Sequence, residues 1–120
     1  MIAQARADLT EVLESQGLKV YSYVPERVEA PCVIIDTAPR IDSAEVFGEY
    51  SISFKVTAVV APAGDFGIQV ENLDRLLDTV LEALENLDVT AQGHYVLQAP
   101  DGQQMLAYEL NVESEYRKEN

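Results

Sequence analysis

The run "EYSISFKVTAVVA", residues 49–61, constrains this chain more than any other stretch. Tyr50, Ile52, Phe54, Val56, Ala58 and Val60 alternate with Ser51, Ser53, Lys55, Thr57 and Val59. Successive side chains of a strand leave opposite faces, so a period of two over this length predicts one long strand. One of its faces must meet a core. The other carries two serines, a lysine and a threonine, and suits water or another subunit. "APAGDFG" ends the strand with turn chemistry.

A sheet face of that kind needs a cover, and two stretches have the right period. Ile2, Ala5, Leu9, Val12 and Leu13 recur at helical spacing, and Gly17 then supplies a left-handed stop. Arg6, Asp8, Glu11 and Glu14 fall off that stripe and are expected in solvent. The second helix is predicted from about Ile68 to Leu87, with Val70, Leu73, Leu76, Leu77, Val80, Leu81, Leu84 and Leu87 on one stripe. Leu77 and Leu81 are expected to pack on Ile52, Phe54 and Val56.

Four further segments read as strands. "KVYSYV" places Tyr21 and Tyr23 on one face and Val20 and Val24 on the other, and "CVIID" is the continuous apolar run of a strand covered on both sides. Pro25 and Pro31 stand between these two and cannot donate to a ladder. "HYVLQ" and "QMLAYELNVES" flank "APDGQ", a hairpin turn in which Pro100 presets φ and Gly102 supplies a positive one. Strands grouped in runs point to an α+β fold in the order α-β-β-β-α-β-β. The expected architecture is a mixed or mainly antiparallel sheet of about five strands, with both helices on one face. It is one domain over 1–120, with a frayed tail from about 115.

Charge narrows the function. Eight Lys and Arg against 21 Asp and Glu give a formal charge of −13, which repels nucleic acid and anionic membranes. Cys32 is the sole cysteine, so no internal disulfide forms, and in "PCVIID" it reads as a small core residue. "MIAQARADLTEVLES" has neither the basic nor the apolar region of a signal peptide, and no apolar run spans a membrane. A soluble, intracellular protein is the expectation.

Enzymatic signatures are thin: one histidine (His94), no tryptophan, no GxGxxG and no Walker loop. No catalytic, cofactor-binding or metal-ligating residues are assigned, and no cofactor is expected. The more informative stretch is "TAPRIDSAEVFGE", residues 37–49, long for a connection between strands. Arg40, Ile41, Val46 and Phe47 in it are the candidate residues for contact with another subunit or another protein.

In order and local wording the chain resembles the small tail terminator or head–tail joining proteins of long-tailed, non-contractile bacteriophages, the lambda tail terminator type. The resemblance runs over nearly the whole chain. It is carried by "ESQGLKVYSYVPERVEAPCVII", by the passage through the long loop into "GEYSISFKVTAVVA", by "ENLDRLLDTVLEALE" and by the closing hairpin. It implies an α+β subunit of a homo-oligomer, a hexameric ring. That ring caps the tail tube, stops tail polymerisation and joins the tail to the head–tail connector protein. The tube and connector proteins would be its partners, DNA would pass through without specific binding, and no membrane is involved. It would act in the virion neck after assembly in the bacterial cytoplasm. Pro25 and Pro31 would then end one strand and start the next, making "ERVEA" a stiff crossing and not a hairpin. Another neck or head-completion protein, and an acidic DNA-mimic inhibitor, are the alternative readings.

Overall fold

The computed structural model describes residues 1–43 and 47–117. Its elements are α1 (Ile2–Glu14), β1 (Val20–Tyr21), β2 (Cys32–Ile35), β3 (Arg40–Ser43), β4 (Glu49–Val59), α2 (Phe66–Ala83), β5 (Asp88–Gln98) and β6 (Gln104–Arg117). The alternating run forms β4, and β6 pairs with it antiparallel over its whole length, from Glu49↔Arg117 to Val59↔Ala107. The sheet order is β1-β2-β4-β6-β5, with β3 added to β4 on the same side as β2. All pairings are antiparallel except β1 with β2. The fold is therefore α+β, as expected, with a sixth strand beyond the five.

That sixth strand corrects the reading of residues 37–49 as a loop. Arg40–Ser43 pairs antiparallel with Tyr50–Ser53, and Gly48, at φ 85°, leads into β4. β1 is shorter than "KVYSYV" promised, because the chain bends away after Tyr21. Both ends of the second helix also move. Asp65 caps it, its Oδ1 accepting from the Ile68 N–H at 2.9 Å, so α2 starts at Phe66. It stops at Ala83, and β5 starts six residues earlier than "HYVLQ", at Asp88. The polar "DVTAQG" lacks strand composition; its pairing to β6, with a bulge between Ala91 and Gly93, holds it extended.

The helices cover the face expected to be apolar. Ala5, Leu9 and Leu13 of α1 and Leu73, Leu76, Val80 and Leu84 of the α2 region are buried with Val33, Ile35, Ile52, Phe54, Val56, Leu106, Leu110 and Val112. Leu77 packs at the margin of this core, whereas Leu81 is 45% exposed and does not meet β4 as predicted. The buried stripe on α2 is narrower than its leucines imply. Arg6 and Asp8 are not simply solvated. The Arg6 guanidinium lies 5.0 Å from the centroid of the Phe54 ring and donates to the Asp36 and Thr37 carbonyls at 2.7 and 3.0 Å. Asp8 accepts from the Tyr116 hydroxyl at 2.9 Å.

The opposite face is divided. At one end Val28, Cys32, Ile34, Val59, Ala99, Met105 and Ala107 make a second, smaller core. Val28 comes from the segment between the two prolines, which leaves β1, passes over this face and returns parallel to β1 as β2. Parallel neighbours cannot be joined by a tight turn, so a crossing is required. Val28 anchors it. The expectation of a wholly open polar face is thus corrected for this end.

Candidate assembly surface

The remaining part of that face is built from the register of four strands. Arg40, Ser53, Glu113 and Asp88 form one row across β3, β4, β6 and β5; Asp42, Ser51 and Glu115 form the next. On the other side of the first row lie Lys55, Asn111 and Thr90, then Thr57 and Glu109. Arg40, Asp42, Ser53, Lys55, Gln92 and Glu113 line a hollow of about 480 Å³ here. The bulge in β5 brings Gln92 to it, since the extra residue re-aims its side chain.

Two cations on this face, Arg40 and Lys55, already have a carboxylate. Arg40 Nε lies 2.9 Å from Asp42 Oδ2, and Lys55 Nζ lies 3.6 Å from Glu109 Oε1. Both pairs are exposed enough to contribute little to stability. Ser51 donates to Glu113. Tyr95 reaches across the small Ala107 to share a hydrogen bond of 3.1 Å with Thr57. Burial pushes the Tyr95 hydroxyl above its usual range, with the Thr57 contact opposing. The surface can offer many donors and acceptors in fixed positions. It is acidic, with carboxylates in most rows.

Reactive groups lie elsewhere. His94 pairs with Tyr108 across the ladder and packs edge-on against its ring, centroids 4.8 Å apart, on the helix side. Cys32 is in the second core, where burial pushes its thiol up to about 11. The chain's only histidine and only cysteine are therefore on opposite faces of the sheet. Among the described residues, no group of three or more His, Cys, Asp or Glu could hold a metal ion. No helix among them is long and apolar enough to cross a membrane.

The four residues singled out in the arm do not form one patch. Arg40 and Ile41 are successive on β3 and so take opposite faces: Arg40 joins the polar hollow, and Ile41, opposite Ile52, lies on the helix side, 41% exposed. Phe47 is fully exposed at the turn. Val46 lies outside the described residues. Sequence reasoning missed β3 itself, although "RIDS" alternates polar and apolar in the manner of an edge strand. It also missed Val28, the only large apolar residue between the prolines. No protein-family model matches the chain, and no curated protein matches it.

Proposed function

We propose that this chain is a structural subunit that assembles head to tail into a ring. In this reading it is a tail terminator or head–tail joining protein of a long-tailed phage, sitting in the virion neck. Phe47 carries the reading. A phenylalanine buried on assembly gains roughly 1.5–3 kcal/mol over one left in water, and this one is fully exposed at the end of a hairpin whose stem continues the core strands. An exposed apolar residue next to a paired stem fits a contact with another subunit or with a tube below it. The acidic sheet face suits a wall past which DNA slides, because Arg40 and Lys55 are already paired with carboxylates and offer little to replace the counterions of the duplex. The ring would stop tube growth by matching the tube on one side only.

The test is the mass in solution together with negative-stain images. Rings of uniform diameter are expected, with Phe47→Asp reducing assembly while leaving the subunit folded. A chain that stays monomeric at every concentration overturns the proposal. Within it, a terminator binds the tube protein and halts its polymerisation, whereas another neck component binds only the connector. Acids stand on both layers, with Glu71, Asp74, Asp78 and Glu82 exposed on α2 and Asp88 and Glu115 exposed on the sheet. That spread does not favour a DNA mimic, which needs them on one face.

A further inference from the structure

The segment Val20–Val24 has the composition of a strand, yet only Val20 and Tyr21 are paired, and Tyr23 and Val24 are 59% and 46% exposed. Among the described residues β1 is also an outermost strand, with β2 as its sole neighbour, and the opposite border of the sheet is β5, eleven residues long and paired only with β6. A long open edge is a template for another strand, and proteins ordinarily blunt it with charge or proline. From Val89 to Gln98 β5 contains no Asp, Glu, Lys, Arg or Pro. Val20–Val24 contains none either, and the adjacent Lys19 is held by Glu29 at 2.6 Å.

The two edges are also matched in place and direction. Following the ladder across, Val20 is level with Val33, Ala58, Tyr108 and His94, and Tyr21 with Ile34, Thr57, Glu109 and Gly93. β1 runs with β2, against β4, and therefore against β5. A second copy rotated about an axis along the strands would bring its β1 beside β5, antiparallel, at the same level and with its helices on the same side. β3, by contrast, carries Arg40 and Asp42 and is level only with the first residue of β5.

We infer that β5 of one copy pairs antiparallel with β1 of the next copy, drawing Ser22–Val24 into a full strand. This inference rests on the ring reading above and names its interface. In a chain of charge −13 these are two borders that can meet without bringing like charges together. Pairing supplies partners for the outward N–H and C=O groups of β5, and a head-to-tail contact of this kind is the type that closes into a ring. The bulge at Gln92 lies within the proposed pairing and locally bends the β5 edge.

Amide hydrogen exchange on the full chain, read by mass spectrometry in assembled and in diluted samples of measured mass, tests it. Residues 22–24 and 88–98 should exchange roughly tenfold or more slowly in the assembly. An assembly that protects the 40–49 arm but leaves both of these segments unchanged overturns the β1–β5 pairing while the ring reading stands. A chain that remains monomeric throughout the concentration series overturns both.

Discussion

The two ends of β4 occupy different surroundings although their sequence pattern is continuous. Val56–Val59 is buried on both faces, with α-helices on one side, the Val28 crossing on the other and β2 alongside. Tyr50–Ser53 has only Ile52 fully buried, and its neighbour on that side is β3, exposed at all four positions. One strand thus serves as core at one end and as the stem of a projecting arm at the other. Stability is concentrated where both faces are covered, and the less protected end remains available for recognition.

The largest effect should come from Phe54→Ala, which empties the centre of the main core and removes the ring beneath Arg6. A loss of about 3–5 kcal/mol in urea unfolding is expected. A loss below about 1 kcal/mol, well short of a core truncation, would mean that α1 is not held against β4. Met105→Ala probes the second core in the same way, with an expected cost of about 2–5 kcal/mol. If it costs almost nothing, the crossing does not seal its end of the sheet, and the contrast between the two ends disappears.

Asp65→Ala tests the start of α2, away from either end of β4, and should cost about 1 kcal/mol through loss of the cap. Next in size is an alkaline effect at the arm end. Burial, then the hydrogen bond to Asp8 and its charge, push the Tyr116 hydroxyl from 10.0 up to about 12. The folded state keeps the neutral phenol longer than the unfolded state does. The stability this provides is complete below pH 10 and is lost as pH rises to about 12. Melting temperatures measured across that interval should fall, and Tyr116→Phe should flatten the slope. An unchanged slope would mean that the Asp8 contact does not persist in solution.

The smallest effects on the isolated subunit should be those of Leu81→Ala and Phe47→Asp, each within about 0.5 kcal/mol, as for surface positions. Leu81 looks like core in the sequence and Phe47 like a contact residue, and both are exposed. A large loss for Phe47→Asp in a monomeric sample would place the phenyl ring against the body of the molecule and remove Phe47 from the assembly contact.

The alternating run, the α1 stripe, most of the α2 stripe and the closing hairpin were all legible, because local period and turn residues act over a few neighbours. Within the site, Arg40 and Phe47 were singled out on sound grounds, as polar and apolar groups in an unusually long connection. Their separation onto a sheet face and a hairpin tip was not legible. It follows from pairing Arg40 with Ser53, a contact set by register and not by the spacing of either residue.

What the sequence by itself determined is the periodicity: which side chains share a face, where glycine and proline stop an element, and how acidic the surface is. The tertiary structure alone decided how far each element extends. Asp88–Gln92 is extended because β6 lies beside it, Val28 is buried because the crossing carries it over Ile34 and Met105, and Tyr23 and Val24 stay exposed because, among the described residues, no strand covers the outer edge of β1. Propensity is a local free energy of a few tenths of a kilocalorie per residue, whereas burial and ladder hydrogen bonds come from neighbours distant in the chain and outweigh it.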